Sequence, residues 1–347
     1  MYIQSANQIS VQKPLTDEWF EAPVFYGDRR VLASDPDFAP HFPSLASRRM
    51  CKLLKRAVLL SRQTLKDASV TMPEGIISGT GLGCIENTEK FLWSIMNNGE
   101  QYLQPTFFMQ STHNIISSTI AIDLKCHGYN NTFVHRGASF DNALFDAWLQ
   151  IRQNRINNAL VGGFDELTDD YYVFFGRVGV WDFVRGASHK QNCFASEASV
   201  SMFVNKEKTA QSICKITDIE LFNHPSAENL NAGLNAMLTR AGLKLQDIDA
   251  VMTGINTNPD NDLIYNNIAN ACFGDRPLLQ YRHIFGESFS SSALGVYAAV
   301  TCLRKGFIPA FLVKNENSDI KGVKHILVHN HWHNRSHSLI LLSSCSA

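Results

Sequence analysis

The sequence predicts an α/β protein built from two similar halves, with strands covered by helices. Three observations predict it. Helical and strand patterns alternate, and the alternation runs twice in one order. The strand candidates are short apolar runs closed by Gly or Pro, as buried strands are. The chain has 347 residues, 45% of them hydrophobic, enough to bury a sizeable core as one large domain or two fused ones.

In the first half, Met50, Leu53, Leu54, Ala57, Val58 and Leu65 recur at the i, i+3, i+4, i+7 spacing of an amphipathic helix. Its other face carries Lys52, Lys55, Arg56, Arg62 and Lys66, read as a solvated face. Pro73 and Gly75 end that unit, and 75–83 reads as a buried strand running into a Gly-rich turn. Helices follow over 86–96 and 113–124, Gly128 turns the chain, and 131–135 is a short strand. A helix over 139–153 puts Leu144, Ala147, Trp148 and Ile151 at core spacing, and 159–164 is another buried strand.

The second half repeats the order: helix 230–241, strand 250–254, helix 263–272, strand 277–281, helix 291–304 and strand 307–313. A hairpin over 325–330 and 337–343 closes the chain. Residues 14–48 hold Pro and aromatic residues without periodicity and read as an irregular arm. The expected organisation is therefore an N-terminal half over 1–210, including that arm, and a C-terminal half over 211–347, joined in one compact unit.

Composition narrows the function. With 31 basic and 32 acidic residues the net charge is −1, which argues against a dedicated nucleic-acid binder or a polybasic membrane protein. Only 18% of residues are charged, below the usual quarter, so the chain has more surface to hide than a compact monomer would and an oligomer is expected. The stretch from Met1 to Val11 has no basic region followed by an apolar run, so no secretory signal is read there. No apolar run approaches the ~18 residues needed for a membrane span. The eight cysteines, Cys51, Cys84, Cys126, Cys193, Cys214, Cys272, Cys302 and Cys345, form no CxxC pair. They read as buried reduced thiols of a cytoplasmic protein.

Several segments, in order, resemble the β-ketoacyl synthases of the thiolase superfamily. Gly79-Thr-Gly-Leu-Gly83 resembles that family's early Gly-rich turn, and Arg48-Arg49-Met50 is similar to the opening of its arginine-bearing first long helix. The segment 128–147 resembles the stretch from a Gly-Pro turn through the nucleophile elbow into a buried helix. Leu160-Val-Gly-Gly-Phe-Asp-Glu166 looks like the "AGGAE" strand, and 286–299 resembles the late segment that carries the second active-site loop. The resemblance implies a thiolase-like layered α-β-α-β-α fold, no cofactor and no metal, and an acyl carrier protein as partner.

The departures from the family pattern bear on chemistry. Where an active condensing enzyme has a nucleophilic Cys at a helix N-terminus, whose dipole stabilises the thiolate, this chain reads His135-Arg136-Gly137-Ala138-Ser139, with Gly137 at the matching place. Cys126 precedes the turn, in the preceding helix. The family's first catalytic His matches Ile255 or Asn256, depending on a one-residue register. Its later Lys and His match Arg282 and Glu287 in Arg282-His283-Ile-Phe-Gly-Glu287. Decarboxylative condensation needs a thiolate and donors for the enolate and oxyanion, and these residues do not make that set.

Other candidates have plain readings beside sharp ones. Ser139 is a substitute nucleophile beside His135, or a helix N-cap with Asp141 in the favourable first turn; the cap is the better reading. His135, Arg136 and His283 are pocket candidates, and His135 with Arg136 would fill the elbow or bind an anion. His329, His331 and His333 share one face if extended, about 6–7 Å apart, with His337 beyond. Without a carboxylate or thiolate they read as a remodelled loop rather than a metal site. Asp165, Glu166, Asp169 and Asp170 read as loop-solvating carboxylates. The basic face of the first long helix has a second reading, a dock for acyl carrier protein.

The resemblance leads to three functional expectations. The first is a nucleophile-lacking subunit like the chain length factors of polyketide, aryl-polyene or flexirubin-type pathways, paired with an active ketosynthase along 131–135. The second is a divergent 3-oxoacyl synthase, acyltransferase or decarboxylase using a non-Cys site such as Ser139 with His135. The third is a homodimer that holds an acyl group or acyl carrier without turnover.

Overall fold

The structure is a computed structural model that describes residues 1–43, 48, 50–186, 190, 192–314 and 318–345. The strands are β1 (Tyr2–Ile9), β2 (Gly75–Gly79), β3 (Tyr129–Phe133), β4 (Asn158–Asp165), β5 (Ala198–Asn205), β6 (Cys214–Asn223), β7 (Ala250–Thr253), β8 (Leu278–Gln280), β9 (Phe307–Ile308), β10 (Ile320–Lys321), β11 (His325–Trp332) and β12 (Ser336–Ser344). The helices are α1 (Lys52–Asp67), α2 (Ile85–Asn98), α3 (Pro105–Ser111), α4 (Ile115–Leu124), α5 (Ser139–Arg152), α6 (Asp169–Arg177), α7 (Ala227–Ala241), α8 (Pro259–Ile268), α9 (Arg282–Phe285) and α10 (Ser291–Lys305).

Ten strands hydrogen-bond in the order β3-β2-β4-β5-β1-β6-β12-β11-β7-β8. Read outward from the centre, β1-β5-β4-β2-β3 mirrors β6-β12-β11-β7-β8. Each half pairs its inner strands antiparallel and its outer three parallel. The two sets meet at Tyr2↔Lys215 and Ile3↔Cys214, so one continuous sheet replaces two separate ones. Helices α5 and α10 pack against strands of both sets and against each other. Residues 291–303 of α10 are buried throughout, as expected of a helix between two layers of strands. Helices α1 and α4 cover the first set, and α7 covers the second. The layers therefore run α-β-α-β-α, as the sequence predicts.

Most element positions match the sequence reading to within a few residues; the exceptions have physical causes. Strand β1 lies at the middle of the sheet, but Gln4, Ser5, Asn7 and Gln8 hide its apolar pattern. These polar groups are buried and satisfied: Ser5 donates to the Thr64 carbonyl at 2.7 Å, and Asn7 to Asp67 at 2.8 Å. The predicted strand over 307–313 holds only through Ile308. Pro309 has no N–H to give, and a 3-10 turn follows over Ala310–Leu312. Helix α8 begins at Pro259, four residues before the predicted start, because Asn258 caps it by accepting from the Asp260 and Asn261 amides. It ends at Ile268 in a wide turn over Ala269–Phe273. The strand expected to reach His135 stops at Phe133, and Cys126 lies just past α4 rather than in it.

Over the described residues 14–43 the arm is irregular as expected, apart from short 3-10 turns, yet it anchors the core. Trp19 and Phe20 are buried in the same cluster as Phe140 and Tyr297. Helix α1 opens at Lys52; of the arginines expected to precede it, Arg49 lies outside the described residues. Arg56 is not on a solvated face. It is fully buried and paired with Asp35 and Glu197, which closes the arm onto β5. Cys51 and Cys345 are half-buried, and the other six cysteines are buried. Among the described residues, no helix is long and apolar enough to cross a membrane.

Candidate functional site

The candidate site lies where the turn before α5, the loop after β7, helix α9 and the end of β11 converge. The turn is tight because Arg136 takes a left-handed backbone, with φ of 52°. Its side chain folds back to donate to the Gly81 carbonyl at 2.9 Å and sits over the Phe289 ring. Ser139 is the first residue of α5, and Ala138 is the cap position. Its hydroxyl bonds only to backbone: it accepts from the His135 amide at 2.8 Å and donates to the Thr80 and Arg136 carbonyls. It is therefore neither the cap nor paired with an imidazole, and it fixes the turn to the Gly-rich loop.

A buried polar network runs beneath this turn. Arg282 is ion-paired with Glu287. Asn256 donates to Glu287 at 2.7 Å and accepts from Asn261 at 2.8 Å. Arg282 and Tyr265 both donate to the Asn330 side-chain carbonyl at 3.3 Å. The Asn330 amide in turn donates to Asp141 at 2.6 Å and to the Gly137 carbonyl at 3.3 Å. Burial alone would lower the Arg282 pKa, but Glu287 more than offsets it and the guanidinium stays charged. Burial pushes the Asp141 carboxyl up to about 7 against the pull of its hydrogen bonds.

Two glycines decide the shape of the site. A Cβ on Gly137 would overlap the Trp332 indole. A Cβ on Gly254 would overlap the Tyr265 hydroxyl and lie 2.6 Å from the Arg282 guanidinium. Large side chains from β11 and α9 thus occupy the space beside both backbone positions. A cleft of about 690 Å3 opens onto this network, lined by Trp181, Phe183, Asn258, Arg282, Glu287, Trp332 and others.

Of the residues singled out from sequence, Gly137, Asn256, Arg282 and Glu287 come together here. Ile255 is buried beside them but absent from the cleft lining. His283 turns away: its Nε2 faces the Phe311 carbonyl at 3.0 Å and its ring stacks on Phe25. His135 lines a separate cavity of about 350 Å3 with Asp141 and His337. Sequence reasoning missed Gly254, Tyr265, Asn330 and Trp332. The Gly-Ile-Asn-Thr run after a strand was the available signal for Gly254, and none existed for the others, which arrive from distant segments.

The acidic run divides. Asp165 and Glu166 do not solvate a loop; both are buried. Asp165 accepts from the Gly81 and Leu82 amides and from Thr80 and Ser290, so it holds the Gly-rich turn. Burial pushes Asp165 up to about 6 and Glu166 to about 7. Asp169 and Asp170 are exposed at the start of α6. The histidines regroup too: His329 and His331 share a face, His333 falls in the turn, and His337 on β12 completes a stack with ring centroids 5.3–6.3 Å apart. Burial lowers His331 to about 3 and His337 to about 4, so both are neutral at pH 7. No three His, Cys, Asp or Glu side chains among the described residues are placed to hold a metal. Cys193 is buried beside the network: it donates to the Arg282 carbonyl at 3.6 Å, and burial raises its pKa well above normal.

The family model "Beta-ketoacyl synthase, N-terminal domain" matches residues 16–199. The chain belongs to the beta-ketoacyl synthase family. Its second half also carries the family's architecture. A beta-ketoacyl synthase from Burkholderia phymatum aligns over 99% of this chain and 98% of its own at TM-score 0.82 and 12% identity. The ishigamide ketosynthase/chain length factor aligns over the same shares at TM-score 0.79 and 17% identity. A type II PKS ketosynthase, solved in complex with its acyl-carrier protein, aligns at TM-score 0.80 and 12% identity. In sequence the chain is 24% identical to 3-oxoacyl-[acyl-carrier-protein] synthase 2 of Staphylococcus aureus over 129 residues, and 27% identical to the Synechocystis sp. enzyme over 123. These alignments span 32% and 30% of the relatives' length, and about a third of this chain. The architecture is that of the ketosynthases.

Proposed function

We propose that this chain is a ketosynthase-family subunit of fatty acid or polyketide biosynthesis that contributes no nucleophile and works beside a Cys-bearing synthase, as a chain length factor does. The observation that carries the reading is the filling of both backbone sites: Trp332 covers Gly137, and Arg282 with Tyr265 covers Gly254. A condensing centre needs an acyl-bearing thiolate and open donors for the oxyanion. Here the elbow offers Gly137, and the positions resembling the catalytic Lys and His neutralise each other as Arg282–Glu287. The partner's thiolate would do the chemistry, and this chain would bound the acyl tunnel. The pairing surface we infer is the free edge of β3, which ends the sheet beside exposed Ile122 and Val134. Exposed edges of this kind call for cover.

The reading that uses Ser139 as nucleophile is weaker, since the hydroxyl is committed to backbone carbonyls. The test is to co-express the chain with the Cys-bearing synthase of its own gene neighbourhood, add acyl-loaded carrier protein, and locate the acyl group by intact mass. A stable complex labelled only on the partner is expected. Acylation of this chain, lost in Ser139→Ala, would overturn the proposal; a stable homodimer that retains acyl carrier without labelling would favour an acyl-binding protein instead.

A further inference from the structure

Two cysteines outside the site stand at the starts of two neighbouring helices. Cys51 is the cap residue of α1 and Cys84 that of α2, and neither side chain makes a capping hydrogen bond. Cys84 belongs to the apolar cluster under α1 and Cys51 packs against that same cluster, which brings the two residues together. Their exposure differs. Cys84 is fully buried. Cys51 is half-buried and lines a cleft of about 520 Å3 together with Lys52, Lys55, Lys90, Glu86 and Asn87.

We propose that Cys51 and Cys84 form a reversible disulfide when the protein meets a hydroperoxide, with Cys51 as the attacking residue and Cys84 as the resolving one. Cys51 is the thiol a reagent can reach, because it is half-buried and opens onto that cleft while Cys84 is enclosed. The Cys51 side chain and burial, with Glu166 and Asp165 nearby, keep the Cys84 thiol protonated. In the first step the Cys51 sulfur bonds to the outer peroxide oxygen as the O–O bond breaks. The leaving alkoxide or hydroxide takes the thiol proton, giving a sulfenic acid and an alcohol or water. In the second, the Cys84 sulfur displaces the sulfenic oxygen as water, so two thiols are oxidised for one peroxide reduced. Cys84 directly follows Gly83 of the Gly-rich turn that Asp165 holds, so the bond would fasten that turn to α1. This inference does not depend on the proposed function, because neither cysteine touches the Arg282 network.

The full chain is treated with a modest excess of hydrogen peroxide, denatured, alkylated and mapped by mass spectrometry. A loss of about 2 Da, one Cys51–Cys84 linked peptide and alkylation of the remaining cysteines are expected, all reversed by dithiothreitol. Cys51→Ser should show no linkage, and serine is a good cap, so the fold is kept. Accumulation of Cys51 sulfinic acid with Cys84 still alkylated, or a Cys51 left unoxidised, would overturn the proposal.

Discussion

Asp141 and Glu287 place two buried carboxyl groups at opposite ends of one hydrogen-bonded network, with different consequences. Asp141 accepts from the Asn330 amide at 2.6 Å, with the Ser292 and Ser338 hydroxyls also facing it. Its pKa is pushed by burial from 3.8 to about 7. The folded protein therefore keeps a proton that the unfolded chain releases above about pH 4, and stability falls as pH rises through that window. Asp141→Asn retains an acceptor for Asn330 and removes the penalty. Its melting temperature should match wild type near pH 4 and exceed it increasingly up to about pH 7.5, by as much as ~4 kcal/mol in stability. A constant difference at all pH values would count against a raised carboxyl. Glu287→Gln has the opposite sign: it leaves the Arg282 guanidinium buried without its counter-ion. A loss of about 3–5 kcal/mol is expected in urea unfolding at pH 7.

At the scale of elements, the N-terminal turn of α5 and the β11–β12 hairpin are one packing unit, although about two hundred residues separate them in sequence. Gly137 on the turn and Trp332 on the hairpin share a space that admits one side chain. Gly137→Cys alone should be strongly destabilising, and Trp332→Gly alone should cost about 3–5 kcal/mol through the cavity it leaves. Combined, the two should be less damaging than their sum by 1 kcal/mol or more, which a double-mutant cycle in chemical denaturation would measure. Additive effects would mean that the ring does not occupy that space. The helix of this unit was legible beforehand: α5 puts Leu144, Ala147, Trp148 and Ile151 at core spacing, because a helix facing a sheet must repeat every 3.6 residues. The hairpin was legible as a hairpin, but its histidines and Trp332 were not legible as a filling, since strand periodicity says which face a residue takes and not what it meets there.

For the whole molecule, the joined sheet and the central helices predict a single cooperative unit. The main core draws on Ile3, Phe140 and Val200 from the first half and on Leu294, Ile326 and Ile340 from the second. Fragments 1–210 and 211–347 expressed separately should show no cooperative thermal transition, and co-expression should restore one. A sharp transition in either fragment alone would contradict a shared core. The amino-acid order by itself determined the α/β class, the repeated element order and the cover of strands by helices, because hydrophobic period and Gly/Pro punctuation are local properties that each segment carries with it. It also determined that Gly137 lies just before the helix that starts at Ser139 and that Arg282 and Glu287 stand five residues apart. Only the tertiary structure decided that β1 is central, that Arg56, Asp165 and Glu166 are buried, and that Gly254 and Trp332 shape the site. Those outcomes depend on which distant side chains meet and on whether buried polar groups find partners, and no local pattern encodes either.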